Sequence, residues 1–223
     1  MYSRGIVALN GYWDGLDYYR APHEYSLLVA ADGGANYLYR IGLRPDVIIG
    51  DLDSIQGEVL DYYVRAGVVV NRYPSDKDKT DSCLALEYAV SRGVDEVVIW
   101  GAIGNRIDHT LANLHLLSMS LKVGVPFVID THELSIFLVS VGVELTVTVG
   151  ATLSLLPFTE EVSGITGRGL KYRLQDSAME LGFPYGVSNV AVASVVEIEV
   201  KKGVLLVVVF KGGEKSVIPH RFL

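Results

Sequence analysis

The stretch Val47-Ile48-Ile49-Gly50-Asp51-Leu52-Asp53-Ser54 decides how the rest of the chain is read. A short apolar run stops at a glycine and is followed by two aspartates one residue apart. Such a run suits a strand buried on both faces, as in a parallel sheet flanked by helices. Carboxylates just beyond its end stand where open α/β sheets bind their ligands. An extended tip would point Asp51 and Asp53 the same way, and adjacent carboxylates repel unless a hard cation neutralises them. Mg²⁺ takes oxygen ligands and is commonly shared between carboxylates and a substrate's phosphates.

The same pattern recurs on both sides of this stretch. Gly5–Leu9, Leu27–Ala31, Val68–Val70, Val97–Trp100 and Phe127–Ile129 are further apolar runs. Helical stretches lie between them: Ala35–Ile41 before Gly42, Glu58–Ala66 before Gly67, Leu84–Ser91 before Gly93, and Leu111–Val123 before Gly124. Glycine just past a helix end accepts the left-handed conformation that stops it. The alternation predicts an α/β domain with a doubly wound, mainly parallel sheet. After about residue 131 the runs become β-rich and often alternate: Leu134–Val139, Leu145–Val149, Leu153–Leu156, Val195–Val200 and Val204–Phe210. They predict a C-terminal antiparallel β-sandwich, with one short helix around Asp176–Glu180. The expected domains are residues 1–131 and 132–223.

Composition narrows the function classes. Half of the 223 residues are hydrophobic, which supplies a sizeable core, and the formal net charge is -7. That charge argues against a nucleic-acid surface, which needs a basic patch. It leaves room for a phosphate ligand, because a metal supplies positive charge. A single cysteine, Cys83, cannot form an internal disulfide and suits a reducing compartment. No signal-peptide pattern is visible, and the apolar runs are far shorter than the roughly 20 residues that span a bilayer. A cytoplasmic enzyme with no membrane or nucleic-acid partner is the expectation.

Two further acidic clusters follow apolar runs: Asp76-Lys77-Asp78-Lys79-Thr80-Asp81 and Gly104-Asn105-Arg106-Ile107-Asp108-His109-Thr110. Asp81 and Asp108 each precede a helix, so N-capping competes with catalysis as an explanation. Asp51 and Asp53 fit capping less well, because Ser54 already serves. Taken together the acids point to one shared metal site. The Asp-x-Asp pair alone also suits aspartate-based phosphatases and metal-dependent glycosyltransferases. Ala31-Asp32-Gly33-Gly34-Ala35-Asn36 and Gly101-Ala102-Ile103-Gly104-Asn105-Arg106 are glycine-rich strand-to-helix loops. Backbone amides at such a helix start can hold an anion, but taken alone the glycines are better explained by tight strand-to-helix turning. Neither loop is a dinucleotide fingerprint or a Walker A loop. Arg106 can grip phosphate bidentately. Lys77 and Lys79 either approach phosphate or belong to a solvated loop. His109 suits a helix-start hydrogen bond, His23, His115, His132 and His220 lack metal-ligand spacing, and Cys83 suits core packing.

These segments, with Gly42-Leu43-Arg44-Pro45-Asp46, Gly169-Leu170-Lys171-Tyr172 and Val187-Ser188-Asn189, resemble thiamin pyrophosphokinases in order and spacing over nearly the whole chain. The resemblance implies an ATP- and Mg²⁺-binding catalytic domain, a thiamine-binding β-sandwich, and a homodimer sharing its active site between subunits. It implies transfer of a pyrophosphoryl group from ATP to thiamine. Asp51, Asp53 and Asp81 would hold Mg²⁺ and, with Asp108, form the catalytic set. Asp32, Gly33, Asn36, Lys77, Thr80 and Arg106 would bind ATP, and Asp108, Thr110, Ser188 and Asn189 would bind thiamine. One departure stands out. Some relatives place a tryptophan near thiamine, yet Trp13 and Trp100 both lie in the first domain; Tyr172, Phe183 or Tyr185 would have to supply a ring instead. Three alternatives stay open: transfer to another small alcohol such as a hydroxymethylpterin, an aspartate-based phosphatase, and a non-catalytic nucleotide sensor.

Overall fold

The computed structural model describes residues 2–20, 24–211 and the backbone of 221–222. His23 and His220 lie outside the described residues. The chain divides into two compact units, Met1–Ile129 and Asp130–Leu223.

In the first unit β1 (Arg4–Ala8), β2 (Leu27–Ala31), β3 (Val47–Gly50), β4 (Val69–Arg72), β5 (Glu96–Trp100) and β6 (Phe127–Asp130) alternate with helices. These are α1 (Leu16–Arg20), α2 (Gly34–Arg40), α3 (Gly57–Arg65), α4 (Asp81–Ser91), α5 (Ile107–Leu116) and α6 (Met119–Val123). The strands run in the order β6-β5-β1-β2-β3-β4, and every neighbouring pair is parallel. β2, β3 and β5 are buried at every position. Their continuous apolar runs follow from that two-sided burial. From β1 the chain winds one way to β4, then crosses back to β5 on the opposite side of β1. The strand order therefore reverses between β1 and β5, and a crevice opens at their carboxyl ends.

Close approach of backbones explains one glycine. A Cβ on Gly34 would lie 2.1 Å from the Ala8 carbonyl oxygen, so α2 can start against the end of β1 only with glycine there. The stretch Leu111–Val123, expected as one helix, is two: α5 ends at Leu116 and α6 starts at Met119. Gly124 closes α6 in the left-handed conformation.

The second unit is built from two antiparallel sheets. One contains β7 (Leu134–Val139), β9 (Thr152–Pro157), β12 (Asn189–Val190) and β14 (Leu205–Phe210) in the order β12-β9-β14-β7. The other contains β8 (Gly142–Thr146), β10 (Glu161–Arg168), β11 (Leu174–Glu180), β13 (Val195–Glu199) and β15 (Arg221–Phe222) in the order β11-β10-β13-β8-β15. Leu205, Val207 and Val209 are buried while Leu206 and Val208 are less so, as a sandwich strand requires. The short helix expected at Asp176–Glu180 is instead strand β11, paired with β10 across two register irregularities. Asp176 has φ 49° there. Cross-strand pairing overrides the weak local helical pattern of these residues.

Candidate active site

A cavity of about 720 Å³ lies at the carboxyl ends of the strands of the first unit. That volume suits a small-molecule ligand. Loops after β1, β2, β3, β4 and β5 line it, including Asn10, Asp32, Asp51, Asp53, Lys77, Thr80, Asp81, Arg106 and Thr110.

The Asp51–Ser54 loop sits at its floor. β3 extends through Gly50, and the chain then turns rather than staying extended, because Leu52 has φ 67°. The expectation of an extended tip is therefore corrected. The turn still gathers the acids: Asp53 donates its amide to Asp51 Oδ1 at 3.3 Å, and one carboxylate oxygen from each of Asp32, Asp51 and Asp53 lies within 4.8 Å of the others. Gly50 makes this convergence possible. Its φ is 153°, and an added Cβ would fall 2.9 Å from Asp32 Cβ and 3.0 Å from Asp81 Cγ. Any side chain at position 50 would occupy the space across which Asp32 and Asp81 face each other.

Asp32 and Asn36 hold the loop from behind. Asp32, with φ 43°, accepts the amides of Ser54 at 3.1 Å and Ile55 at 3.1 Å. Asn36 donates its side-chain amide to the Ser54 carbonyl at 3.0 Å and accepts the Gln56 amide at 2.9 Å. Burial pushes the Asp32 pKa up, against the opposing effect of those amides. Gly33 and Asn36 are themselves buried and are not among the residues that line the cavity. Here they act as supports. Replacing Asn36 by Ala removes its hydrogen bonds to the Ser54 carbonyl and the Gln56 amide, an expected cost of about 0.5–1.5 kcal/mol each. Urea unfolding measures it, and steady-state kinetics on the same variant shows a lower kcat as the loop loosens.

Asp81 is the first residue of α4, and the helix is capped by its neighbour: the Thr80 hydroxyl accepts the Cys83 amide at 3.2 Å. Asp108 lies inside the first turn of α5, whose preceding residue, Arg106, makes no side-chain cap. Capping therefore accounts for neither acid. Burial raises the Asp81 pKa, Lys77 opposes this, and Asp51 and Asp53 add to it. Asp81 Oδ1 is buried and accepts no hydrogen bond among the described residues, although Lys77 Nζ lies 3.1 Å away. That contact is ionic without hydrogen-bond alignment. Asp51 is pushed up by burial but ends below its ordinary value, because Lys77 and the Asp53 amide favour its charged form. Lys77 is thus turned inward, whereas Lys79 pairs with Glu87 at 2.7 Å in the solvated loop.

Arg106 and Asp108 form a bidentate pair, with Nε donating to Oδ1 at 3.0 Å and an Nη donating to Oδ2 at 2.6 Å. That pair is exposed, and Arg106 draws the Asp108 pKa down to about 2. The sign is that of a depressed carboxylate. The contribution of the pair is present above the ordinary 3.8, and it is lost as pH falls through about 2. Solvent screening keeps that contribution small, so the carboxyl ¹³C shift is the observable to follow. Asp108 is expected to stay ionised to about pH 2, and Arg106→Gln to return its midpoint toward 3.8.

The loop after β5 is pinned to both neighbours. The Gly11 amide donates to the Gly101 carbonyl at 2.8 Å, and Tyr12 to Ile103 at 2.7 Å. The Thr110 hydroxyl accepts the Gly104 amide at 3.1 Å, and Asn113 donates to Ala102 at 2.8 Å. Asn10, Gly11, Tyr12, Tyr37 and Asn113 line the cavity and were not expected from the sequence. The first three follow an apolar strand, as the acids do, but carry no charge to mark them. Trp13 and Trp100 are buried against each other, and Trp13 stacks on Tyr37 at 5.2 Å.

In the second unit Asn189 is buried, and its side chain is consumed locally. It donates to the Tyr172 carbonyl at 2.8 Å and accepts the Tyr172 amide at 3.0 Å and the Val190 amide at 2.9 Å. Ser188, exposed at φ 61°, donates its amide to Ser154 Oγ at 3.2 Å. Asn189 therefore fixes Tyr172 and the strained Ser188 turn. The rings of Tyr172, Phe183 and Tyr185 are exposed.

A doubly wound α/β unit with an acidic crevice, carried in one chain with an antiparallel β-sandwich, defines a narrow class of protein. Residues 19–129 match the family model for the thiamin pyrophosphokinase catalytic domain, and residues 140–205 match the model for the thiamin pyrophosphokinase vitamin B1 binding domain. The chain belongs to the thiamin pyrophosphokinase family. It is 29% identical to the thiamine pyrophosphokinase of Bacillus subtilis over 206 residues, covering 91% of this chain and 92% of that protein. The crystal structure of thiamine pyrophosphokinase from Bacillus subtilis superposes with a TM-score of 0.83 at 27% identity, covering 94% of this chain and 99% of that one. The one from Geobacillus thermodenitrificans gives 0.80 at 25% identity, covering 93% and 96%. The expected fold class and family stand. A pterin alcohol acceptor, a phosphatase and a non-catalytic sensor find no support in these matches.

Proposed function

We propose that this chain transfers the pyrophosphoryl group of ATP to the hydroxyethyl oxygen of thiamine, giving thiamine diphosphate and AMP. The observation that carries the reading is the gathering of Asp32, Asp51 and Asp53 within 4.8 Å of one another, with Asp81 facing Asp32 across Gly50, inside the segment matched by the catalytic-domain model. The donor set fits Mg²⁺: it is all oxygen, one oxygen from each of Asp32, Asp51 and Asp53 lies within 4.8 Å of the others, and no side chain at Gly50 fills the space between Asp32 and Asp81. Asp51, Asp53 and Asp81 would hold the ion, which supplies charge neutralisation on the triphosphate when bound.

Phosphoryl-type transfer asks a protein mainly for positioning and charge stabilisation. The hydroxyl oxygen of thiamine bonds to the β-phosphorus and gives up its proton to solvent, the bond from the β-phosphorus to the bridging oxygen breaks, and AMP carries that oxygen away. Asp51 and Asp53 are oriented for this by the Asp32 and Asn36 supports. Thr80, Lys77 and Arg106 line the cavity and in this reading bind the phosphates, with Lys77 and Arg106 the cations among them. Asp108 is a poor proton acceptor while paired with Arg106, because a carboxylate near pKa 2 holds a proton weakly. Its role in this reading is to orient the cationic acceptor, with Thr110 shaping the neighbouring loop. Ser188, and Asn189 through Tyr172, belong to the thiamine side. A homodimer with a shared active site and a cytoplasmic setting are part of the same proposal. The dimer is supported by the family resemblance, and the setting by the single cysteine. Among the described residues no helix is long and apolar enough to cross a membrane.

Phosphorus NMR of the protein with ATP, Mg²⁺ and thiamine tests the reading. Equimolar AMP and thiamine diphosphate are expected. ADP with thiamine monophosphate would refute pyrophosphoryl transfer.

A further inference from the structure

Lys77 lies at an unusual place for a residue of a polar loop. Its side chain is only 14% exposed. Its Nζ lies 3.2 Å from Asp51 Oδ2, 3.1 Å from Asp81 Oδ1 and 3.0 Å from the Pro74 carbonyl oxygen. Among the described residues it is the cation paired with the acidic group. The two carboxylates it bridges are two of the three assigned above to the metal. An ammonium and a hard divalent cation seek the same oxygens and cannot occupy the same space between them.

We propose that Lys77 is a placeholder cation: it neutralises Asp51 and Asp81 in the free protein, opposes binding of a divalent ion alone, and yields when the ion arrives with a polyphosphate. The inference rests on the metal reading of Asp51, Asp53 and Asp81. The physical logic is one of exchange. A divalent ion alone must displace the ammonium and leave it without a carboxylate. A nucleoside triphosphate supplies both further oxygen ligands for the ion and a new anionic partner for Lys77. Binding of the ion and of the phosphate chain is thereby coupled, and the coupling is reciprocal. Lys77 also sits on the loop between β4 and the Thr80-capped start of α4, outside both elements.

The test is Mn²⁺ binding, followed by electron paramagnetic resonance, to the protein alone and with α,β-methylene-ATP, whose α–β bridge cannot be cleaved. Wild type is expected to bind Mn²⁺ weakly alone and far more tightly with the nucleotide. Lys77→Met is expected to bind Mn²⁺ alone about tenfold more tightly or better, within the usual range of coupling between sites, and to lose much of the nucleotide-induced gain. Lys77→Arg keeps the charge and should behave like wild type toward Mn²⁺ alone. Lys77→Gln serves as the neutral variant if Lys77→Met does not fold. Unchanged Mn²⁺ affinity in the neutral variants, with nucleotide-dependent binding intact in wild type, would overturn the placeholder role while leaving the metal site standing. Absence of Mn²⁺ binding by wild type even with nucleotide would overturn the metal reading, and the placeholder with it.

Discussion

Asp51→Asn and Asp81→Asn are each expected to lower kcat by at least about 10²–10³-fold, the scale seen when one electrostatic partner of a transferring group is removed. The substitution keeps shape and volume but replaces an anionic ligand by a neutral one. At Asp51 it weakens the attraction to Lys77 and to the ion together. At Asp81 it also relieves the repulsion from Asp51 and Asp53 that helps raise its pKa. The fold should therefore survive, and Asp81→Asn should not be less stable than wild type. AMP release at saturating Mg²⁺, read beside a thermal melt, separates the two effects. Near-wild-type turnover in either variant would remove that residue from the metal set.

The largest expected effect on stability lies in the second unit. Lys211 and Asp130 are 2% and 1% exposed, and Lys211 Nζ donates to Asp130 Oδ1 at 2.6 Å and to the Thr131 carbonyl. The Ser135 hydroxyl donates to the same Asp130 oxygen at 2.7 Å. Lys211→Ala removes the charge partner of a carboxylate that stays buried. The expected loss is about 3–5 kcal/mol, the usual cost of breaking a buried pair from one side. Replacing both residues by apolar ones of similar size should restore most of it, because the desolvation of both charges is then avoided. The midpoint of urea unfolding at unchanged slope is the measurement. A loss under 1 kcal/mol for Lys211→Ala would mean that water reaches Asp130.

What could be read from the chain differed by element. Most strands of the first unit were legible because two-sided burial leaves uninterrupted apolar runs, and Val47–Ile49 is the clearest case; the edge strand β4 is largely exposed. The starts of α2 to α5 were legible to within a few residues, but α1 was not expected and neither was the break after Leu116, since Leu117 and Ser118 both continue a helical pattern. Strand β11 was missed because an edge strand such as Leu174–Glu180 draws its shape from β10 rather than from its own propensity. Among site residues, charged ones announced themselves. Asn10, Gly11 and Tyr12 did not, because an uncharged loop looks the same in sequence whether it lines a cavity or faces water.

Sequence alone determined the α/β unit, the β-sandwich, the acidic set at the strand ends and the family. Each of these is written as local periodicity, residue chemistry or ordered spacing. Only the tertiary structure decided how the acids are arranged and what they touch. It turned the chain at Leu52 to gather Asp51 and Asp53, and it used Asp32 and Asn36 as supports. It gave the capping of α4 to Thr80 and placed Lys77 between Asp51 and Asp81. The supports and the Lys77–Asp51 pair depend on contacts between residues about 18 to 26 positions apart in the chain, such as Asn36 and Asp32 with Ser54 and Lys77 with Asp51. Such contacts leave no trace in local pattern, because they exist only once the strands have been brought side by side.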